Sequence, residues 1–310
     1  MTELEKILEA LEKTGSDRSI LKDPATAHLM VEGSRILSER QIEGLRVEAK
    51  STGDGIIARV QVVRGARILK PVHLCFGMVH AGLQKITMEV RLEEDSSAHF
   101  IAHCLFPEPR QVSHLMNAAV DIGPGAEMCY SETHLHGPYG TVEVVPKAHV
   151  RIGKNGRYMG DFNLTAGRVG RLAIDYTVEA GENAVAELTA RVYGHETDRI
   201  AIREQVTLAG ANARSLIKTR VALEGEAEAE VTGITEGNAP GARGHVDCME
   251  LVRERAVARA IPIVNVTNPL AKVTHEAAIG SVDRRQLETL MAHGLSADEA
   301  VDIIVRGILR

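Results

Sequence analysis

From Asp121 onward the chain repeats one unit: a short strand, a turn of Gly, Ala and Asn, then another strand. The unit reads DIGPGAEMCY from Asp121, RIGKNGRYMG from Arg151, TVEAGENAVAEL from Thr177, TLAGANARSLI from Thr207 and ALEGEAEAEVTG from Ala222. The first turn centres lie roughly 27 to 31 residues apart, and the last at about half that spacing. Strands at a fixed period with small residues at the corners point to a β-solenoid. One coil cannot bury its inward face alone, so successive coils must stack. An antiparallel sandwich also places strands at this density, and the periodicity leaves both open.

Composition supports a narrow core. Aromatic residues make up 3% of the 310, with no Trp, so Val, Ile, Leu and Ala must fill the interior. The net charge of -6 argues against nucleic acid as the main partner. No run of about 18 apolar residues exists to form a transmembrane helix. The first stretch, MTELEKILEALEKTG, is charged and helical rather than a signal peptide, so the expected location is the cytoplasm. Cys75, Cys104, Cys129 and Cys248 are scattered, with no CxxC, which suggests neither a zinc finger nor a disulfide framework. In a reducing compartment they are thiols, behaving as small buried hydrophobes.

Three segments follow. Residues 1–44 read as a helical cap. Leu4, Ile7, Leu8 and Leu11 share a helix face, and Gly15 is the stop. A second helix is expected over Ala25–Val31 after Asp23-Pro24, and another near Ser38–Ile42. Residues 45–280 form the β core, beginning with alternating runs at Ile56–Val63, Ile68–Phe76 and Gln84–Leu92. Residues 281–310 are helical. Leu287, Leu290 and Met291 lie on one face, Gly294 follows the first helix, and Ser296–Glu299 is a capping box for the second. The apolar face of that last helix is broader than a two-helix hairpin needs. It suits either a partner or the β core.

Several chemistries are missing from the motifs. There is no GxxxxGK[ST] phosphate loop, no GxSxG elbow, and His275-Glu276-Ala277-Ala278-Ile279 fails HExxH. In strands, His99 and His103 share a face opposite Cys104, and His134 and His136 share another. Imidazole pairs suit zinc, iron or copper, but two without a defined third ligand are a weak signal and read first as solvent-facing or hydrogen-bonded residues of strand edges. His275 and Glu276 can both bind a metal, at the point where β character hands over to helix. A regular strand points them to opposite sides, so a shared site needs a bend or bulge there. Cys248 lies in phase with Val246 and Glu250, away from Asp247.

The stretch PIVNVTNPLAKVTHEAAIG from Pro262 to Gly280, followed by QLETLMAHGLSADEAVDIIVRG, resembles the SufB/SufD family of iron–sulfur assembly scaffolds. The shared features are the Pro before an apolar strand, the K-V-x-H-E-A run, the Ile-Gly, and the leucine helix ending in H-G-L before a Ser-x-x-Glu helix. The specific match covers about Gly244 to Arg310. The resemblance implies a β-helix core with flanking helical regions. It also implies a nascent iron–sulfur cluster assembled where two β-helices meet near their C-terminal ends. His275 matches the family's interface histidine and Glu276 the acidic residue after it, while Cys248 is the nearest thiol within the region. Further implications are a homodimer and a SufC-like ABC-type ATPase docking on the C-terminal helices. ATP would then be hydrolysed in trans, and this chain would be a scaffold rather than an enzyme. Two other readings remain: a β-solenoid enzyme acting on carbohydrate, disfavoured by the scarcity of aromatics for sugar stacking, and a purely structural subunit of the assembly complex.

Overall fold

The computed structural model describes residues 2–108 and 111–309. Helix α1 (Glu3–Lys13) begins with a reciprocal cap, in which Glu5 N–H donates to Thr2 Oγ1 and Thr2 N–H donates to Glu5 Oε2. A 3₁₀ turn (Arg18–Leu21) leads to β1 (His28–Glu32), β2 (Arg35–Arg40), β3 (Leu45–Ser51) and β4 (Gly55–Val62). β1 pairs antiparallel with β2, and β3 with β4.

The strands that follow stack in parallel. They are β5 (Val72–Gly77), β6 (Gly82–Leu92), β7 (Ser97–Phe106), β8 (Val112–Ile122), β9 (Glu127–His136), β10 (Val142–Ile152), β11 (Arg157–Ala166) and β12 (Gly170–Ala180). Then come β13 (Val185–Gly194), β14 (Arg199–Leu208), β15 (Arg214–Leu223), β16 (Glu228–Gly237), β17 (Arg243–Val252), β18 (Val257–Val266) and β19 (Lys272–Gly280). Odd strands form a ten-stranded sheet ending in β1 and β2, and even strands form a nine-stranded sheet ending in β3. Each coil thus gives one strand to each sheet, and about eight turns result. Cross-coil neighbours are 28 to 30 residues apart in sequence. The fold is a β-solenoid with helices at both ends of the chain, as the repeat and the resemblance imply.

The inward stripes show why this chain needs few rings. Val60, Val90, Val120, Val150, Val178 and Val206 stack in register through six coils, all buried. Each contributes about 1.5–2 kcal/mol of apolar burial. The corners are equally regular. Asp95, Gly125, Asn155, Asn183, Asn212 and Gly241 occupy one column with φ between 54° and 71°. Gly and Asn tolerate this left-handed conformation best. The Asn183 amide donates to Asn155 Oδ1 at 3.1 Å, and the Asn212 amide to Asn183 Oδ1 at 3.3 Å, forming a ladder along the corner. Outside, opposite charges one coil apart pair up, such as Arg59–Glu89 and Arg151–Asp121. These pairs are exposed and each is worth little.

Two helices expected near the N-terminus are strands. Ala25–Val31 gives way to β1, because Leu29 and Val31 enter the solenoid core while Met30 packs under α1. Covered on both faces, this run of consecutive apolar residues fits a strand. Asp23 closes a local turn, accepting from Ala25 N–H and the Thr26 hydroxyl, rather than capping a helix. The Ser38–Ile42 helix is replaced by the end of β2, whose partner is β1.

The helices flank one sheet. α1 lays Ile7, Ala10 and Leu11 on Met30, Cys75 and Leu105, on the outer face of the ten-stranded sheet. At the other end are α2 (Arg284–Ala292), capped by Asp283, and α3 (Ala297–Ile308), capped by Ser296 and Glu299. α3 packs Val301, Val305 and Leu309 on Ala222, Leu251 and Tyr193 of the same sheet face. Neither helix covers the last edge. β18 and β19 each pair on one side only, and Val257, Ile261, Val266, Leu270 and Ile279 stand exposed along this end.

Candidate functional site

His275 and Glu276 lie in the middle of β19, at the open end. The register runs unbroken, His245 opposite Thr274, Val246 opposite His275, Asp247 opposite Glu276 and Cys248 opposite Ala277. No bulge turns the two side chains together. His275 therefore follows the lumen-facing phase of Val246, while Glu276 follows Asp247 on the outer face. Both are exposed. Asp247 is itself held by Arg220, whose Nη2 donates to its Oδ2 at 2.5 Å and keeps its carboxyl below the usual range. Within one chain, His275 and Glu276 do not converge.

Cys248 does face the lumen, in phase with Val246 and Glu250 as the alternation implied. It sits diagonally behind His275, roughly 8 Å away between Cα positions by strand geometry. Burial pushes its thiol up to about 12, reinforced by the Glu250 and Glu204 carboxylates. The lumen is pinched here. A Cβ on Gly233 would lie 2.7 Å from Val246 Cγ1 and 3.8 Å from Cys248 Sγ, so only glycine lets the two sheets approach.

Two carboxyls missed by sequence reasoning share this end of the lumen. Glu250 is buried, with neither oxygen hydrogen-bonded, and burial pushes its carboxyl up to about 7. Glu204 reaches across from β14 to accept the Thr219 hydroxyl at 3.0 Å, and burial raises it likewise to about 7. A small cavity of about 30 Å³, with room for one water, runs from Glu204 past Tyr176, Tyr158 and Tyr130 to Glu132.

Beyond the cavity the histidine pairs separate. His103 lies on the outer face, sealed by the end of α1. Its Nδ1 is 3.1 Å from Thr14 Oγ1 and its Nε2 3.2 Å from Ser16 Oγ, and its ring stacks parallel to His73. His99 shares that face and meets Ser131 Oγ at 3.1 Å. His134 and His136 point into the lumen, where they join Glu132, Cys104 and His114. Burial opposes ionisation of Glu132. Hydrogen bonds from His134 and Tyr130 outweigh it and hold the carboxyl below its ordinary value. Among the described residues, Cys104, Glu132 and His134 form a three-ligand group with all ligand atoms within 4.8 Å of one another. The signal in the sequence was phase. Met128, Tyr130, Glu132, His134 and His136 alternate together, and Met128 and Tyr130 mark that phase as the interior.

Comparison with known proteins places the chain in one family. Residues 80–308 match the core domain described as "SUF system FeS cluster assembly, SufBD core domain". An iron–sulfur cluster assembly SufBD family protein of Methanocaldococcus jannaschii is 40% identical over 308 residues, covering 99% of this chain and 98% of the relative. Another from Pyrococcus horikoshii is 32% identical over 308 residues, covering 99% and 94%. The iron–sulfur cluster assembly protein SufB of Bacillus subtilis is 33% identical over 72 residues, 23% of this chain and 16% of that protein. With most of its length inside the core-domain match and two relatives aligned end to end, the chain belongs to the SufBD family of iron–sulfur cluster assembly proteins.

Proposed function

We propose that this chain is the scaffold of an iron–sulfur cluster assembly complex, with the nascent cluster built between two copies meeting at their open ends. The observation that carries this reading is the uncovered edge of β18 and β19, with His275 on it and Cys248 behind it. An unpaired strand edge bordered by exposed Val and Ile is a template for another strand. A two-fold pairing of such edges is self-complementary and doubles every ligand. It brings together two His275 imidazoles, with the Cys248 thiols and Glu250 carboxyls in the lumen on either side.

The cluster is cargo, so the residues must bind it and let it go. His275, exposed on the edge strand, offers an imidazole nitrogen to iron. Cys248 binds only as thiolate, and an iron ion must displace its proton. A ligand held so reluctantly suits transient assembly. Glu276, on the outer face, reaches the site only from a second copy or by rearrangement at the edge. The absence of a phosphate loop in the sequence fits ATP hydrolysis by a separate SufC-like ABC-type ATPase. Its docking surface would be α2 and the exposed side of α3, where Met291 and Ile303 stand free of the β core.

A purely structural role is the second reading, favoured by the burial of Cys248 and its proton affinity. Native mass spectrometry after anaerobic reconstitution with ferrous iron and sulfide separates the two. Scaffold function predicts cluster mass carried by a species of two chains. Cluster carried by single chains would overturn the shared site, and no cluster at all would favour the structural role.

A further inference from the structure

The hydrogen bonds around the luminal histidines fix where their protons lie. Gln84 donates its amide to the Gly33 carbonyl at 2.8 Å and the Gly77 carbonyl at 3.3 Å. Its Oε1 therefore faces His114 Nδ1 at 2.9 Å and can only accept. The proton sits on Nδ1, and His114 Nε2 presents a lone pair to Cys104 Sγ at 3.7 Å. On the other side His136 Nδ1 donates to the Arg168 carbonyl at 3.2 Å. Its Nε2 then accepts from His134 Nδ1 at 3.1 Å. This leaves His134 Nε2 without a proton when the ring is neutral, facing Glu132 Oε1 at 2.6 Å. Two lone pairs at that distance in a buried site repel. One positive charge must lie between them, either a proton or a metal ion.

We propose that the lumen holds a metal site, Cys104–His114–Glu132–His134, for one divalent cation of the zinc, iron(II) or cobalt(II) class. The donor set is one sulfur, two imidazole nitrogens and one carboxylate oxygen, which suits borderline cations and not magnesium or calcium. The spacing fits for Cys104, Glu132 and His134, whose ligand atoms all lie within 4.8 Å of one another; His114 Nε2, close to the sulfur, lies outside that set and must shift to complete it. With metal–sulfur bonds of about 2.3 Å and metal–nitrogen or –oxygen bonds of about 2.0 Å, tetrahedral geometry puts sulfur about 3.5 Å from each other ligand. Cys104 Sγ lies 3.7 Å from His114 Nε2 and 3.8 Å from Glu132 Oε1. The Glu132–His134 pair needs to open to about 3.3 Å as the ion takes the proton's place. Thiolate and carboxylate together balance the dication, and binding releases two protons, one from Cys104 and one from the His134–Glu132 pair. Gln84 and His136 complete the arrangement by fixing the tautomers of the two ligating rings. The site is distinct from the one at His275. β9 and β19 are five strands apart in their sheet, roughly 24 Å at about 4.8 Å per strand.

The test uses Co²⁺ on the reduced, chelator-treated full chain, added both to folded protein and during refolding, so that slow access to the lumen does not hide binding. Wild type should develop a thiolate-to-cobalt charge-transfer band that saturates at one ion per chain and is bleached by Zn²⁺. Cys104→Ser should abolish the band, and His134→Gln should weaken binding at least tenfold. His275→Ala and Cys248→Ser should keep the band unchanged, which separates this site from cluster assembly at the open end. A folded wild type with no such band, a band surviving in folded Cys104→Ser, or a band lost in His275→Ala or Cys248→Ser would each overturn the proposal.

Discussion

Replacing Glu204 by Gln tests how strongly the lumen disfavours charge. The carboxyl is buried between the two sheets, and burial raises its proton affinity from the ordinary 4.5 to about 7. At about 1.4 kcal/mol per tenfold change in affinity, this amounts to roughly 3 kcal/mol. The sign follows from proton counts. Between these two values the folded chain holds the proton and the unfolded chain does not, so stability falls as pH rises. The benefit is complete below pH 4.5 and gone above pH 7. Gln cannot ionise, so its stability relative to wild type should rise by roughly 3 kcal/mol between pH 4.5 and pH 8. For 310 residues unfolding as a unit, with about 2.1 cal/mol/K per residue, that is a relative gain of about 5 °C in Tm. Differential scanning calorimetry of both proteins across this range measures it. Parallel Tm curves for the two would refute the buried, protonated carboxyl.

Other consequences are simpler to check. Asn183→Ala should lower stability by about 1–3 kcal/mol in urea unfolding, since it breaks two ladder bonds and places a Cβ without the Asn side chain at φ 54°. Asn183→Gly, which relieves the backbone, should recover part of that loss. With a disulfide reagent under native conditions, Cys129 should react first, because it alone of the four thiols is not fully buried; prior labelling of Cys104 or Cys248 would contradict the packing. Deleting residues 283–310 should leave the β core folded by circular dichroism but abolish co-purification with an ABC-type ATPase. Retained co-purification would move the docking surface elsewhere.

The coils were legible because each repeats a physical necessity: an inward apolar stripe and a corner that tolerates left-handed backbone. Asn155, Asn183 and Asn212 announced the corners, and the Ser296–Glu299 capping box matched the start of α3. β1 was not legible. Leu29, Met30 and Val31 carry no alternation when a helix covers the outer face of their strand. The polar lumen was hidden for another reason. Met128 and Tyr130 carry the phase that marks this face as interior, but His134 and His136 taken by themselves read as hydrogen-bonded strand residues. At the open end, Cys248 was placed in its true phase. The unbroken register of β19, which holds His275 and Glu276 apart, was decided by pairing with β17, a long-range fact that local sequence does not carry.

The proposed role of the open end is to form a cluster through His275. The direct measurement is iron and acid-labile sulfide per chain after anaerobic reconstitution, in wild type and His275→Ala, each shown to be folded and equally dimeric. His275 is exposed, so its loss leaves no core cavity, and folding should be unaffected. Wild type should load iron and sulfide in equal amounts with visible charge-transfer absorbance, and His275→Ala should lose most of both. Equal loading in the two proteins would contradict the assignment.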